Sequence, residues 1–324
     1  MKIIKRPRRL RVNPVLRDLV AETVFDNKKL IMPYFVSERK NFREPIKSMP
    51  GIETVSLNNL IKDLEKDYKK GIKNILLFGL PLQKDDLGSG AYAKNGIIQK
   101  AVKKIKKEFP EINLITDVCL CEYTLHGHCG EVSSSGQVLN DQTLKLLEKI
   151  SLSHAEAGAD LVAPSDMMDG RVAAIRQALD QKGFEEIGIL SYAAKYSSAF
   201  YGPFREAVNS APLFGDRSTY QMDYRNSLEA EKEIFLDIEE GADIIMVKPA
   251  LSYLDIIAQV RAKINLPLCA YNVSGEYSLV KIAAQQGLME ERKAVLEILT
   301  SIFRAGANMV VSYHTRDIFV KKWL

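Results

Sequence analysis

Short runs of aliphatic residues alternate along the chain with longer amphipathic segments. The short runs are almost continuously hydrophobic, which is typical of parallel strands that are covered on both faces. They predict eight strands, at residues 30–36, 74–79, 112–118, 160–164, 187–193, 243–248, 267–273 and 308–313. Since the intervening segments have helical hydrophobic spacing, the pattern predicts eight strand–helix units of about 40 residues each.

Three of the connections between a helix and the next strand share a motif with a central glycine. AGAD at 157–160, EGAD at 240–243 and AGAN at 305–308 each stand directly before a predicted strand. Glycine is the usual residue just past the end of a helix, so the motif indicates repeated helix-to-strand turns. We therefore predict an α/β fold, a (β/α)8 TIM barrel that forms one catalytic domain at residues 30–324. A doubly wound sheet is the alternative, but the chain has no GxGxxG motif of the dinucleotide-binding type.

The composition narrows the class of protein without indicating an activity. Of the 324 residues, 46% are hydrophobic and 27% are charged, as in an ordinary globular protein and unlike a disordered chain. Four cysteines are too few for a disulfide scaffold, and Cys269, inside the seventh predicted strand, is expected to be a buried hydrophobic residue. The net charge of +4 is too small to indicate a nucleic-acid partner by itself.

The first 29 residues precede the barrel and contain a cluster of basic residues. KRPRRLR occupies positions 5–11, Lys2 stands just before it, and Pro7 and Pro14 favour extended backbone. We interpret residues 1–29 as an extended N-terminal arm that packs on another subunit, with nucleic-acid binding as the alternative. No apolar core of a signal peptide follows, and no apolar run approaches the about 18 residues of a membrane span. The expected location is the cytoplasm, with neither nucleic acid nor a membrane as partner.

Three cysteines lie close together after the third predicted strand. Cys119, Cys121 and Cys129 are interleaved with His126 and His128. Three thiolates suit a soft tetrahedral ion such as zinc, and three protein ligands leave a fourth position open, as in catalytic sites. Two alternatives stay open: three reduced thiols without a metal, and a four-ligand structural site completed by one of the histidines.

Two lysines stand at the ends of otherwise apolar strands. Lys195 lies just after the fifth predicted strand, and Lys248 is the last residue of the sixth. In a TIM barrel the carboxyl ends of the strands form the active-site rim, so the two amines are expected on adjacent strands of that rim. Burial and a neighbouring cation both lower the pKa of an amine, which makes it a nucleophile for a carbonyl substrate. A plain structural role is the alternative. Other strands lead at the same rim into Asp117, Ser165, Ser274 and Tyr313.

The longest linker, at about 196–224, joins the two strands that carry these lysines. An ordered loop of this length is usually functional, and often a lid. Arg205 and Arg217 are suited to clamp a carboxylate at two points, and Gln221 lies near them in the sequence. Two solvated loop arginines are the alternative.

Four blocks that contain these residues carry a resemblance to a known family. They are DVCLCEYTLHGHCG at 117–130, APSDMMDGRV at 163–172, SYAAKYSSAFYGPFR at 191–205 and GADIIMVKPALSY at 241–253. In this order, and together with the basic arm, they resemble the porphobilinogen synthase (5-aminolevulinate dehydratase) family over nearly the whole chain. The resemblance implies a hydro-lyase of tetrapyrrole (heme) biosynthesis that condenses two molecules of 5-aminolevulinate to porphobilinogen with loss of two waters.

The resemblance also implies roles for individual residues. Lys248 would form a Schiff base with the substrate that supplies the propionate side of the pyrrole, and Lys195 would form a second one on the acetate side. Asp117 is a candidate for proton transfer. The residues implied in substrate binding are Ser274 and Tyr313 for the first carboxylate, Arg205, Arg217 and Gln221 for the second, and Ser165.

Cofactors and assembly follow from the same resemblance. Cys119, Cys121 and Cys129 match the zinc ligands of the zinc-using branch, and Glu233 matches a position that binds an allosteric magnesium ion in many bacterial members. The implied assembly is a homo-octamer in which the arm embraces a neighbouring barrel. A Schiff-base aldolase of the same fold and a non-enzymatic zinc or nucleic-acid binder are the alternative functions.

Overall fold

The computed structural model, which describes residues 4–324, contains a closed parallel barrel. The strands are β1 (Leu30–Ser37), β2 (Arg43–Pro45), β3 (Glu53–Ser56), β4 (Asn74–Leu80), β5 (Asn113–Val118), β6 (Glu131–Val132), β7 (Val138–Leu139), β8 (Leu161–Pro164), β9 (Gly188–Lys195), β10 (Ile244–Lys248), β11 (Leu268–Asn272) and β12 (Met309–Ser312). The barrel order is β1-β4-β5-β8-β9-β10-β11-β12, and β12 pairs in parallel with β1. This closure confirms the predicted (β/α)8 barrel and excludes the open doubly wound sheet.

All eight predicted strands are barrel strands, and the short strands are additions to them. β2 and β3 form an antiparallel ribbon that pairs with the carboxyl half of β1. β6 and β7 form a separate hairpin after the cysteine block. Neither pair has the apolar run by which the barrel strands were predicted: β2 is exposed, β6 and β7 are half-buried, and β3, although mostly buried, reads ETVS.

One short helix precedes the barrel, and the others follow barrel strands, most of them covering the outside of the sheet. They are α1 (Pro14–Leu19), α2 (Leu57–Lys70), α3 (Ile97–Glu108), α4 (Asn140–Ala157), α5 (Arg171–Gln181), α6 (Gly202–Ala207), α7 (Leu228–Glu239), α8 (Leu254–Arg261), α9 (Ser274–Gln285), α10 (Glu291–Ala305) and α11 (Thr315–Val320). Within residues 4–324, no helix combines the length and the hydrophobicity that crossing a membrane requires.

The glycine motifs stand at helix ends, as predicted. Gly158 and Gly306 are the C-terminal caps of α4 and α10, with φ angles of 103° and 119°. Gly241 directly follows the cap residue of α7 and has a φ of 100°. These left-handed conformations are accessible to glycine without a Cβ clash, so each motif turns the chain from a helix into the next strand.

One irregularity in the barrel positions the site. Ile245 and Val247 of β10 pair with Ser191 and Ala194 of β9, so β9 has one residue more than its partner over this stretch. An extra residue of this kind is a β-bulge, which interrupts the alternation of side chains between the two faces of the sheet. Beyond the bulge the pairing resumes, and Lys195 pairs with Lys248.

The segment before the barrel is mostly exposed, from the first described residue to Val24. We expected Pro7 and Pro14 to favour extended backbone, but each opens a short helical segment, a 3-10 helix at Pro7–Arg11 and α1. This is the position at which proline fits a helix best, because its missing N–H would have no partner there. Lys2 lies outside the described residues. The segment joins the barrel where Phe25 stacks on Phe303 of α10, with 4.9 Å between ring centroids.

Candidate active site

The two predicted lysines line one small cavity at the carboxyl ends of the strands. Lys195 ends β9, Lys248 ends β10, and each residue is only 5% exposed. Nζ of Lys195 donates a hydrogen bond to the carbonyl oxygen of Ser165. The cavity is lined by Phe78, Cys121, Glu122, Ser165, Lys195, Tyr201, Phe204, Arg217 and Lys248.

Aromatic rings surround the amine of Lys248. The ring centroids lie 4.4 to 5.2 Å from its Nζ and belong to Tyr192, Tyr201, Phe204 and Tyr271. Burial lowers the pKa of Lys248 to about 7, and the positive charge of Lys195 adds to the decrease. A substantial fraction of this amine is therefore uncharged near neutral pH, which is the form that attacks a carbonyl group.

Asp117 is the next-to-last residue of β5 and lies close to the lysines. Its Oδ2 accepts a hydrogen bond of 3.1 Å from Oγ of Ser165, whereas Oδ1 is buried without a partner. Burial raises the pKa of Asp117 to about 8, and the carboxylate of Glu122 adds to the increase. The carboxyl group is thus positioned to hold a proton near neutral pH, and its free oxygen could exchange that proton with a bound molecule.

The three cysteines predicted as metal ligands form one buried group. Their sulfur atoms lie within 4.8 Å of one another, and 3.5 Å separates those of Cys119 and Cys121. Hydrogen bonds from Cys119 and Cys121 lower the pKa of Cys129 well below its usual value. Three clustered soft donors, one of which ionises readily, fit a thiophilic metal ion. Cys269 lies apart from them, buried in β11.

Neither histidine of the cysteine block belongs to this group. Nδ1 of His126 accepts a hydrogen bond from the backbone N–H of His128. The two ring nitrogens of His128 lie 3.1 Å from the hydroxyl of Tyr220 and 3.0 Å from the carbonyl oxygen of Phe214. The imidazoles therefore join the cysteine block to the long linker, and the four-ligand site with a histidine has no support in this geometry.

Glu122 is a buried carboxyl that the sequence interpretation did not select. It is 3% exposed, its Oε2 has no hydrogen-bond partner, and burial raises its pKa. Glu122, Asp117 and Cys119 form a second close group of ligand-type atoms. The position of Glu122 between the clustered cysteines could have indicated a site residue. A glutamate in a loop is ordinarily solvated, however, and only the tertiary structure shows that this one is buried.

The long linker lies over the site and contributes the predicted arginines. It contains α6, and Arg217 is buried in the cavity wall, whereas Arg205 is half-buried. Burial and the positive charge of Arg217 both lower the pKa of Arg205. Nε of each arginine and both amide atoms of Gln221 are buried without a hydrogen-bond partner. Such groups carry a desolvation cost that a bound carboxylate would remove by accepting hydrogen bonds.

Ser274 and Tyr313 follow the next two strands of the barrel, at the start of α9 after β11 and directly after β12. Oγ of Ser274 accepts a hydrogen bond of 3.0 Å from the N–H of Phe204 and donates one to the carbonyl oxygen of Phe200. The hydroxyl of Tyr313 lies 3.0 Å from the hydroxyl of Tyr271. Tyr271, whose ring also contacts Lys248, was not selected from the sequence, because a tyrosine in a strand is ordinarily a core residue.

Glu233 lies away from the lysines, on α7. It lines a cleft of about 830 Å³ together with Asp169, Gln221 and Glu229. Burial raises the pKa of Glu233, whereas the charge of Arg171 opposes the increase. In residues 4–324, Glu233 takes part in none of the close groups of metal-ligand atoms.

The arrangement combines four chemical capabilities in one place. It has two buried amines, a carboxyl group that holds a proton, a thiol group that could bind a metal, and arginines with free donors. Amines of this kind form Schiff bases with ketones or aldehydes, and the arginines suit an acidic substrate.

Comparison with known proteins agrees with this chemistry. The sequence model of the family described as Delta-aminolevulinic acid dehydratase matches residues 4–321. The protein of that name from Bacillus subtilis is 52% identical over 319 residues, which cover 98% of each chain. The one from Methanothermus sociabilis is 55% identical over 313 residues, which cover 97% of each chain.

A solved structure is similar over the same length. It is the delta-aminolevulinic acid dehydratase (porphobilinogen synthase) of Toxoplasma gondii in complex with the reaction product porphobilinogen. The two structures superpose with a TM-score of 0.96 at 44% sequence identity, over 99% of this chain and 92% of the other. Because the family match and these relatives span nearly the entire sequence, the chain belongs to the delta-aminolevulinic acid dehydratase family.

Proposed function

We propose that this chain condenses two molecules of 5-aminolevulinate to porphobilinogen with loss of two waters, as a hydro-lyase of tetrapyrrole biosynthesis. The observation that carries the proposal is the pairing of Lys195 with Lys248, two buried amines at one cavity. A Schiff-base enzyme with one carbonyl substrate needs one lysine, whereas two substrate molecules held together give each lysine a function. Porphobilinogen bound to the similar Toxoplasma gondii enzyme supports the same reaction.

Each lysine is proposed to attack the ketone of one substrate molecule. Lys248 takes the molecule that becomes the propionate side of the pyrrole, and Lys195 takes the molecule on the acetate side. Attack by an uncharged amine, loss of water and uptake of one proton give a protonated imine, which withdraws electrons from the neighbouring carbon. That carbon then loses a proton and becomes the nucleophile for bond formation between the two substrates.

The carboxylates of the two substrates are proposed to bind on opposite flanks of the lysines. Ser274 and Tyr313 hold the first, near Lys248. Arg205, Arg217 and Gln221 hold the second, through the buried donors that have no partner within the protein. Holding two molecules in register replaces a bimolecular encounter by an intramolecular step, an advantage of several kcal/mol.

Asp117 and Ser165 are proposed to manage protons beside the imines. The free Oδ1 of Asp117 is the atom that exchanges a proton with the substrate, while Oδ2 accepts the hydrogen bond from Ser165. The carbonyl oxygen of Ser165 holds the amine of Lys195, while the Ser165 side chain stands at the cavity wall as a substrate-binding group.

We propose zinc as the ion of the thiol group. Cys119, Cys121 and Cys129 would hold it, because three thiolate donors match its preference and leave a position free for substrate. A bound zinc ion supplies Lewis acidity for a carbonyl or hydroxyl oxygen of the substrate. Cytoplasmic location is proposed with it, because a reducing compartment keeps these free cysteines available as ligands.

A second ion and an oligomer complete the proposal. Glu233 is proposed as a ligand of an allosteric magnesium ion, since it stands with Asp169 and Glu229 in a cleft rich in oxygen donors. Residues 1–29 are proposed to form an arm that packs on a neighbouring barrel of a homo-octamer, and residues 30–324 to form the catalytic domain. Exposed apolar side chains in the arm favour such packing over solvation: Leu10, Val12, Val15, Leu19 and Val24.

Borohydride reduction in the presence of 5-aminolevulinate tests the reaction and the two-lysine mechanism together. Reduction turns each imine into a stable secondary amine, and peptide mass mapping then locates it. We expect adducts at both Lys195 and Lys248 and formation of porphobilinogen without the reductant. An adduct at one lysine only, without porphobilinogen, would indicate an aldolase. Absence of adducts at both residues in a metal-loaded enzyme would contradict the proposal.

A further inference from the structure

Tyr192 lies between the two lysines, although no sequence motif singled it out. It is completely buried, and its ring centroid is 5.6 Å from Nζ of Lys195 and 4.9 Å from Nζ of Lys248. An aromatic ring attracts an ammonium group within about 6 Å of its centroid, and the attraction is strongest away from water. A single ring is therefore within attractive distance of both amines.

The two lysines depend on this ring to different degrees. For Lys195, Tyr192 is the only aromatic ring at cation–π distance among residues 4–324. Lys248 has three more such rings, those of Tyr201, Phe204 and Tyr271. Loss of the Tyr192 ring should therefore affect the position of Lys195 much more than that of Lys248.

The bulge in β9 brings ring and amine to the same side of the sheet. Residues three apart in a regular strand point to opposite faces, and Tyr192 and Lys195 are three apart. The extra residue between Ser191 and Ala194 resets the alternation, so both side chains enter the barrel. The guanidinium of Arg171 donates a hydrogen bond of 3.4 Å to the carbonyl oxygen of Tyr192 and so supports the bulged stretch.

We propose that Tyr192 is a positioning residue whose ring holds the amine of Lys195 toward Lys248. The role rests on the proposed function, because two Schiff bases in one cavity require both amines to face the same space. The hydroxyl of Tyr192 makes no well-formed hydrogen bond, but burial raises its pKa and Asp117 lies close enough to add to the increase, so the test must separate the ring from the hydroxyl.

Three variants distinguish a role of the Tyr192 ring from a role of its hydroxyl and from a general effect of losing an aromatic ring in the cavity. Tyr192→Met replaces the ring by a flexible side chain that fills much of the same space, and Tyr192→Phe keeps the ring but removes the hydroxyl. Tyr271→Met makes the same change beside Lys248 only, and serves as the matched control. In crystal structures without substrate, we expect Lys195 to keep its bond to the carbonyl oxygen of Ser165 in the Phe variant and the control, and to lose it in Tyr192→Met. An unchanged Lys195 in Tyr192→Met would overturn the assignment.

Initial rates of borohydride trapping with 5-aminolevulinate give the second readout. In Tyr192→Met the adduct at Lys195 should form about tenfold more slowly, and the adduct at Lys248 should change by less than about threefold. In Tyr192→Phe both adducts should stay within about threefold of wild type. Equal losses at both lysines, or equal losses in the Phe and Met variants, would contradict the role of the ring. Absence of both adducts in the wild type would instead refute the proposed function, and the crystal structures would still decide the role of Tyr192.

Discussion

Lys195 and Lys248 are direct partners across two neighbouring strands, at the last paired position of β9 and β10. The pairing follows a bulge that shifts β9 by one residue, so both amines enter the same cavity. Like charges this close cannot both be protonated without cost, which contributes to the low pKa of Lys248. The strand register therefore brings the two amines together and, beside burial, contributes to the lowered pKa of Lys248.

Removal of either amine should abolish turnover without unfolding the protein. Lys248→Met keeps an apolar side chain of similar length, and we expect porphobilinogen formation to fall by a factor on the order of a thousand or more. Lys69→Met, at an exposed pair with Glu65, is the control and should keep full activity. Steady-state assays and thermal unfolding check both variants, and normal turnover of Lys248→Met would refute the Schiff-base role.

The rate should depend on pH through Lys248. Its pKa of about 7 lies below the usual value, so the nucleophilic form prevails above pH 7 and is lost below it. We expect kcat/KM to fall about tenfold per pH unit on the acid side of pH 7. Asp117, with a pKa of about 8, should lose its proton above pH 8 and set a decline on the alkaline side. A flat profile between pH 5.5 and 7.5, with the fold intact, would contradict this assignment of Lys248.

Metal content should depend on the clustered cysteines and not on the remaining one. Cys129→Ser replaces a thiolate by a hydroxyl that stays protonated, so metal affinity should fall at least about tenfold. Cys269→Ser changes the buried cysteine of β11 and should keep its metal. Elemental analysis after dialysis, together with activity before and after a chelator and after added zinc, measures the effect. Full activity after verified removal of the metal would show that the reaction does not need it.

A methyl group at Gly275 should disturb the linker over the active site. A Cβ there would lie 2.6 Å from the carbonyl oxygen of Phe200, closer than real contacts allow. Gly275→Ala should therefore displace the start of the linker and lower kcat/KM by about tenfold or more, since small misplacements are costly in catalysis. Gly202→Ala has open space around the new Cβ and is the matched control. Equal activity of the two variants would contradict this prediction.

Stability should depend on the buried ion pair behind β9. Arg171 and Asp237 are 2.9 Å apart, and their side chains are 2% and 3% exposed. Arg171→Met leaves the carboxylate without its partner, which should lower the free energy of unfolding by about 3–5 kcal/mol. Arg225→Met, which breaks an exposed pair with Asp223, should leave the denaturation midpoint unchanged at the same protein concentration. Similar midpoints for both variants would show that the buried pair adds little.

Much of the fold could be predicted from the local hydrophobic pattern and the glycine motifs of the sequence. Continuous apolar runs located the eight barrel strands to within one residue, except at the end of β9, because strands buried on both faces need hydrophobic side chains throughout. The glycine motifs located the turns, since the left-handed conformation excludes most other residues. The sequence also singled out the two lysines and the three clustered cysteines. A lysine is unusual at the end of an apolar strand, as at Lys195 and Lys248, and three cysteines are unusual within one loop.

Other features depend on how distant segments meet. The bulge that turns Lys195 inward is a mismatch between two strands, and neither strand contains it alone. The burial of Glu122, and of Arg217 more than Arg205, results from the linker folding over the cysteine block. Tyr192 and Tyr271 look like core residues in sequence, and only closure of the barrel brings their rings to the amines. Local composition determines the apolar barrel strands, whereas the register between strands and the path of the linker decide which side chains meet at the site, because both are relations between segments far apart in the chain.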